Sequence, residues 1–414
     1  MPQIIQRKQY QINRYCLIGE KWASMFIIAG KNNIAVHTLN LLKFKYKIRD
    51  LAVVINKTDN GINDWQYSLK KRAIELNIAI LTLEEAEKRA TVFLSLEFDK
   101  LVKIEKFKTK RLFNIHFSLL PKYKGMFTSV WPILNNDNSG VTLHYIDNGI
   151  DTGKIIDQIG FSIENNYTSK DVYLNYIDYA IQLIEKNLKD IIADNLDGYP
   201  QSVECSSYYS NKSIDFSNKN INFYHTAWEV GRYIRAFSFR NYQLPVHNNV
   251  VYCNYEITSE RSAALPGTML ENNQFTSKFS TIDYDIVLYK DRLELVFQLC
   301  QQGDLEELKK YIRNISSIND RNQQSWSLLM IAAYNGYYDM VAYLIEMGAD
   351  VNATNYKGTT VLMYAKEYAL RSGNKKLFHY LLMLGANDKK VDMYYKFLTD
   401  YLNNTEIDFL YSNN

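Results

Sequence analysis

The last third of the chain repeats itself. The segment "SLLMIAAYNGYYDMVAYLIEMGADVNATN" is followed by "TVLMYAKEYALRSGNKKLFHYLLMLGANDKK", and Ser327 and Thr360 stand 33 residues apart. An earlier partial unit, "FQLCQQGDLEELKKYIRNI", puts Gly303 33 residues before Gly336. Gly348 and Gly385 are 37 apart because "YALRS" lengthens one helix of the second unit. A fixed period of this length constrains the fold more than composition does. Each unit cannot bury its own apolar face and must stack on a neighbour, and three or more are usually needed for stability. With two and a half units visible, the stack is expected to dock on the body of the protein instead of hanging from a tether.

That period is the one of ankyrin repeats, and it assigns residues 291–400 to an all-α unit. The chain before it alternates differently. "MFIIAG", "LAVVIN", "IAIL" and "VFLSLEF" read as short buried strands; "NNIAVHTLNLLKF" and "DWQYSLKKRAIELN" read as the helices between them. This pattern predicts βαβ units, a mostly parallel helix-covered sheet and a Rossmann-like α/β fold over residues 1–200. The first turn, "AGKNNIA", has one glycine where a dinucleotide fingerprint needs GxGxxG, which argues against a nicotinamide dehydrogenase. "DVYLNYIDYAIQLIEKNLKDII" has helical period and "DGYP" ends it, placing a boundary near residue 200. Residues 201–290 mix a tyrosine-rich loop, "SSYYSNKSIDF", a helix, "TAWEVGRYIRAFSF", and strands "VVYCNYEI" and "YDIVLY". They read as a small α+β appendage.

Composition excludes several classes. Lys+Arg 48 against Asp+Glu 45 leaves a formal charge of +3, so there is no electrostatic footprint for nucleic acid or an anionic membrane. Cys16, Cys205, Cys253 and Cys300 are scattered without CxxC pairing, and the six histidines are dispersed, so neither a disulfide framework nor a metal site is expected. The N-terminal "MPQIIQRKQYQINRY" lacks a signal-peptide apolar core and no run approaches a membrane span, so a soluble cytoplasmic protein is expected.

Within "FNIHFSLLP", Asn114, His116 and Ser118 alternate with Phe113, Ile115 and Phe117. In a strand the two sets lie on opposite faces, one core and one polar; a half-exposed strand would show the same alternation. Further on, "KYKG" leads to "GVTLHYIDNGIDTGKII", where Asp151 reads either as an Asx-turn residue or as a functional carboxylate. His144 in "VTLHYI" reads as core strand packing. Together, "NIHFSLLP" and "GVTLHYIDNGIDTGKII" resemble the 10-formyltetrahydrofolate-dependent formyltransferases, whose pattern is Asn-x-His, a Leu-Pro turn, a Lys/Arg-Gly and an Asp-Thr-Gly loop. The resemblance spans roughly residues 25–240.

The resemblance implies a catalytic set of Asn114, His116 and Asp151. Attack by an amine on a formyl carbon builds an oxyanion, for which the Asn114 carboxamide and an imidazolium at His116 are donors. His116 suits the proton transfer from the amine. Asp151 would orient it and hold a water that relays the proton to the departing folate nitrogen. The 10-formyltetrahydrofolate is implied to lie against Phe98, Asp147 and Ile150, with no metal. The appendage is similar to that of nucleotide-sugar N-formyltransferases, which implies Lys124, Tyr208, Tyr209, Arg232 and Arg235 as substrate-binding residues. Arg232 and Arg235 are three apart on one helical face, suited to a pyrophosphate or simply solvated, and relatives often have Arg at Lys124. An ankyrin tail resembles the subgroup acting on dTDP-3-amino-3,6-dideoxyglucose in surface-polysaccharide (O-antigen) synthesis, with a homodimer expected. The 4-amino isomer and UDP- or GDP-linked amino sugars remain alternatives, as does an interaction protein with a vestigial enzyme body. Trp326, in the finger before the first complete repeat, needs a packing partner on the enzyme body or a ligand. Stacking on the base of a second nucleotide sugar, flanked by Tyr334, Asn335 and Tyr356, is the functional expectation.

Overall fold

A computed structural model describes residues 25–215, 220–392, 394 and 396–412. Residues 1–24, Cys16 among them, lie outside the described residues, as does Phe216 of the tyrosine-rich loop.

The first unit is built on a seven-stranded sheet of order β3-β2-β1-β4-β5-β7-β8. Its strands are β1 (Met25–Gly30), β2 (Leu51–Ile55), β3 (Ala79–Leu81), β4 (Ala90–Leu96), β5 (Leu112–His116), β7 (Ser139–Tyr145) and β8 (Ile155–Phe161). The first five run parallel, and β7 and β8 add an antiparallel edge. Every residue of β1 is buried, as expected for a strand covered on both faces. The helices on this unit are α1 (Asn32–Asn40), α2 (Leu69–Glu75), α3 (Leu83–Arg89), the short α4 (Trp131–Leu134) and α5 (Ser169–Ala193). In α5, Val172, Tyr176, Ala180, Leu183, Leu188 and Ile191 recur at three- to five-residue steps and are fully buried, so one stripe of a 25-residue helix covers β7 and β8.

Two helices are shorter than their apolar pattern. After Asn40 the chain continues as a π turn, Leu41–Lys45, with only Leu42 buried. Residues 64–67 stay in a loop, where Asp64 accepts from the Gln66 amide, and Ser68 caps the helix that follows by accepting from the Lys71 amide at 3.0 Å.

The chain does not leave the first unit at residue 200. Tyr199 bridges Ile155, and the two-residue strands β6 (Lys124–Gly125) and β9 (Tyr208–Tyr209) pair in parallel. Gly125 sits at φ +89, and a Cβ there would meet the Tyr209 carbonyl oxygen at 2.2 Å, so only glycine allows this close pairing. The appendage then folds as α6 (Ala227–Ala236) on a five-stranded antiparallel sheet of order β10-β11-β14-β13-β12. These strands are Val246–His247 (β10), Val250–Ile257 (β11), Met269–Asn272 (β12), Thr276–Phe279 (β13) and Ile286–Lys290 (β14).

The repeats contain three helix pairs, not two and a half: α7 (Leu293–Gln302) with α8 (Leu305–Tyr311), α9 (Leu328–Asn335) with α10 (Tyr338–Glu346), and α11 (Val361–Ser372) with α12 (Lys376–Met383). The first pair reads as a partial unit because α8 is short and ends in a 3-10 turn. Ser327 and Thr360 are equivalent N-caps, accepting from the Met330 and Met363 amides. Gly336 ends α9 at φ +77 with the Tyr368 ring packed over it, so a side chain would be both strained and obstructed. A last helix, α13 (Asn404–Tyr411), covers the end of the stack through Leu410 and the Phe378–Tyr411 ring pair.

The stack is docked. Asp320, 1% exposed, receives Arg240 of the appendage at 2.9 Å and Lys170 of α5 at 3.3 Å, and Arg240 also pairs with Asp291. Burial pushes the Asp320 carboxyl up, but the two cations outweigh it and hold the group below the ordinary carboxylate range. The Asn314 carboxamide donates to the carbonyls of Phe275 and Lys290, tying the first repeat to β14.

Candidate active site

The polar face of β5 meets the polar face of β7. Their register sets Asn114 opposite His144 and His116 opposite Thr142. Because side chains alternate along each strand, all four lie on one side of the sheet. Beyond β7 the chain turns through residues 146–154, where Asp147 accepts from the Gly149 amide and the Thr152 hydroxyl, closing the loop on itself. Asp151 sits on it at φ +55, a left-handed conformation uncommon for a side chain larger than glycine. Gln201 holds it there by donating from one amide nitrogen to the Asp151 and Gly153 carbonyls, both at 2.8 Å.

The structure therefore brings Asn114, His116 and Asp151 together, although Asp151 lies 35 positions along the chain from the strand end at His116. His116 is 7% exposed; its Nε2 donates to the Tyr123 carbonyl at 2.8 Å, and its Nδ1 lies 3.4 Å from Asp151 Oδ2. The same carboxylate oxygen accepts the Gly125 amide at 2.9 Å. With Nε2 committed to a carbonyl, Nδ1 is the ring position that can gain or lose a proton, and Asp151 faces it. Asn114 donates from Nδ2 to His144 Nε2 at 3.0 Å, and His144 Nδ1 donates to the Tyr145 carbonyl at 2.8 Å. His144 is thus a polar partner within the cluster, which corrects its reading as core strand packing: it is buried, yet both ring nitrogens are committed to the site. Ser118, by contrast, turns away to donate to the Lys122 carbonyl, fixing the Leu-Pro turn.

Lys124, Tyr208 and Tyr209 are also brought together, in the paired β6 and β9 beside Asp151. Lys124 is buried and donates to Ser206 at 3.2 Å; Tyr209 stacks on Trp131 at 4.0 Å, and Tyr208 is exposed. The two arginines of α6 do not share a role. Arg235 is buried, and its guanidinium donates to the Glu164 and Tyr167 carbonyls, which corrects its reading as a pyrophosphate ligand: it clamps the segment before α5. Arg232 stays half-buried. Phe98 is half-buried at the end of β4, and Ile150 is exposed on the loop directly before Asp151.

One group was not singled out by the sequence. Glu97 directly follows β4 at φ +56, one residue past the pairing of Leu96 with Ile115, and so beside the end of β5. Its carboxylate accepts from Asn32 at 2.7 Å and from the Tyr173 hydroxyl, with Lys31 at 4.0 Å. Burial raises its pKa against the opposing pull of these partners. Its only signal in the sequence is a charged residue ending an otherwise apolar strand.

Trp326 finds its partners inside the repeats: its ring is 4.2 Å from Tyr364 and 5.5 Å, edge-on, from Tyr334. Arg371 lies over Tyr334, and Asn335 donates back to the Ile331 carbonyl. Tyr356 instead lines a cavity of about 380 Å³ between the repeats and the first unit, with Arg321, Lys170 and Asp320.

Among the described residues there is no cluster of His, Cys, Asp and Glu that could hold a metal, and no helix is long and apolar enough to cross a membrane. Residues 94–186 match the formyl transferase family model, and residues 296–392 match three copies of the ankyrin repeat model. The chain is 46% identical to WlaRD, described as a sugar 3N-formyl transferase and solved in the presence of dTDP and 5-N-formyl-THF. The match covers 64% of this chain and 97% of that one, with a TM-score of 0.59. The chain belongs to the sugar N-formyltransferase family. The N-formyltransferase of Helicobacter canadensis, solved with folinic acid and dTDP-3-aminofucose, is equally similar at 46% identity, 64% and 99% coverage, and a TM-score of 0.59. The methionyl-tRNA formyltransferase of Ureaplasma parvum serovar 3 is 30% identical over 193 residues, 45% of this chain and 61% of its own length. The bifunctional polymyxin resistance protein ArnA of Wigglesworthia glossinidia brevipalpis is 24% identical over 325 residues, 72% and 47% respectively. The chain spans about half to three-fifths of the length of these curated relatives.

Proposed function

We propose that this chain transfers a formyl group from 10-formyltetrahydrofolate to the amino group of a dTDP-linked amino-dideoxy sugar. The acceptor is dTDP-3-amino-3,6-dideoxyglucose, for surface polysaccharide (O-antigen) synthesis. The observation that carries the reading is the convergence of Asn114, His116 and Asp151 at the ends of β5 and the 146–154 loop. The 46% identity to formyltransferases solved with dTDP or a dTDP-amino sugar supports the acceptor class.

The residues present fit a flat folate. Apolar Phe98 follows the strand that pairs with β5, apolar Ile150 directly precedes Asp151, and Gln201 keeps a buried carbonyl oxygen with no protein partner among the described residues. When bound, the folate supplies an activated formyl carbon; the rest is the work of this chain. The second N–H of Asn114 stabilises charge developing on the formyl oxygen, a term typically worth ~100-fold or more in rate. As the new C–N bond forms, His116 Nδ1 takes the proton of the incoming amine and Asp151 Oδ2, already 3.4 Å away, stabilises the imidazolium that results; the proton then passes, through a water held at Asp151, to the folate nitrogen as its bond to the formyl carbon breaks. Gly125 ties that carboxylate to the β6–β9 ribbon, so Lys124, Tyr208 and Tyr209 are held in register with the proton-transfer pair as the nucleotide-sugar wall, to which the reading adds Arg232 of α6.

The reading includes a cytoplasmic homodimer and a second nucleotide-sugar site on the repeats at Trp326. Supporting that site are the Trp326, Tyr334 and Tyr364 cluster and two nearby cations, Arg371 over Tyr334 and Arg321, which donates to the Met330 sulfur.

The test is incubation of purified protein with 10-formyltetrahydrofolate and a panel of acceptors: 3-amino and 4-amino dTDP sugars, UDP- and GDP-amino sugars, and methionyl-tRNA. A formyl mass gain on the 3-amino dTDP sugar, undiminished by a chelator, is expected. Gain on methionyl-tRNA alone, or full inactivation by chelator and rescue by zinc, overturns the reading.

A further inference from the structure

We propose that His144 is the positioning residue of the oxyanion carboxamide: by accepting from Asn114 it selects the one amide flip in which an N–H remains for the formyl oxygen. The inference rests on the reading of the site given above.

The chain of constraint begins one residue away. His144 Nδ1 lies 2.8 Å from the Tyr145 carbonyl, which offers only lone pairs, so Nδ1 carries the ring proton. In the neutral ring Nε2 then has none, and at 3.0 Å from Asn114 Nδ2 it can only accept. A flipped amide would set two acceptors against each other in a site where His144 is 2% exposed and water cannot intervene. The ring must therefore stay neutral. Burial does this, pushing the imidazole down to about 4, against the pull of Asp151, whose Oδ1 lies 3.7 Å from Nε2, and with the help of the His116 charge. Asn114 has two amide hydrogens, and this arrangement uses one. A hydrocarbon at position 144 would fill the same volume and leave both flips open, so the imidazole is used for direction.

The experiment uses the full chain. His144→Phe keeps a ring and removes the acceptor; His144→Gln restores an acceptor close to the place of Nε2. We expect His144→Phe to lower kcat about tenfold or more, since a misdirected oxyanion donor is a partial loss of a term of ~100-fold. KM for the amino sugar should move by less than about threefold, because no ground-state contact is removed. His144→Gln should recover most of the loss. In an Asn114→Ala background His144→Phe should cost nothing further, because its effect passes through Asn114. In the unmodified protein, nitrogen NMR at neutral pH should report the Nδ1–H tautomer of His144, a readout independent of how any variant folds. Wild-type kcat in His144→Phe, losses that multiply with Asn114→Ala, or an Nε2–H tautomer overturns the proposal. Full activity in Asn114→Ala would instead overturn the reading of the site itself.

Discussion

The sheet of the first unit and the stack of repeats both bury polar side chains, and they use them oppositely. In the repeats Ser327 and Thr360 cap helices, and Asn355 closes a finger by accepting from the Lys357 and Thr359 amides. Each satisfies a backbone group within a few residues. At the ends of β5 and β7, Asn114, His116, His144 and Asp151 satisfy one another across long stretches of chain, and the carboxylate sits on left-handed backbone. Local polar burial shapes a fold; convergent polar burial on strained backbone marks a site.

Single substitutions should separate the two kinds. The largest expected effect is at the cluster: His116→Asn or Asp151→Asn should lower kcat by two or more orders of magnitude, on the ~100-fold scale of each proton-transfer or oxyanion term, with melting temperature little changed. Ser327→Ala, an equally buried polar residue, should instead lower stability by about 1 kcal/mol and leave kcat unchanged. Parallel melting and steady-state measurements on the three variants would break the comparison if the effects failed to segregate.

Next in size is the junction between the regions. Asp320→Asn leaves Arg240 and Lys170 without their shared carboxylate and should cost about 3 kcal/mol, the typical penalty for breaking a buried pair. Limited proteolysis should then release the repeats, whereas wild-type cleavage kinetics would mean that the docking rests on apolar contacts. The Trp326 site is a weaker effect, since one aromatic stack is worth ~1–3 kcal/mol. Calorimetric titration with the dTDP-sugar should find more than one site per chain, and Trp326→Ala should remove the additional one without touching turnover. A stoichiometry of one would leave the indole as packing against Tyr364 and Tyr334.

The smallest effect is on pH. His144 has a native pKa of about 4 against 6.5 for the free side chain. A depressed histidine leaves stability intact above the unfolded value and loses it as the pH falls from about 6.5 towards 4, because the unfolded state binds the proton first. Part of the acid destabilisation in that window should vanish in His144→Gln.

Much of this was legible in the residues. The 33-residue period located the repeats, because the two complete units share a Ser/Thr cap at Ser327 and Thr360 and all three end their first helix on a glycine. The alternation in "FNIHFSLLP" exposed a polar strand face, and the Asp-Thr-Gly loop supplied its carboxylate. What stayed hidden depended on register. His144 in "VTLHYI" looks like any buried strand residue until β5 is set beside β7, and Glu97 is unremarkable until Asn32 and Tyr173 arrive from α1 and α5. Arg235 looked like an anion ligand because helical spacing reveals the face a side chain occupies but not that carbonyls of residues 164 and 167 will meet it.

If the β5–β7 cluster carries a formyl group from folate to a sugar amine, the carbon itself can be followed. Protein supplied with 10-formyltetrahydrofolate labelled with ¹³C in the formyl group and with dTDP-3-amino-3,6-dideoxyglucose should yield the label as a formamide on the sugar, and His116→Asn should leave it on the folate. Label released as free formate, or sugar formamide formed at equal rate by His116→Asn, would contradict the account.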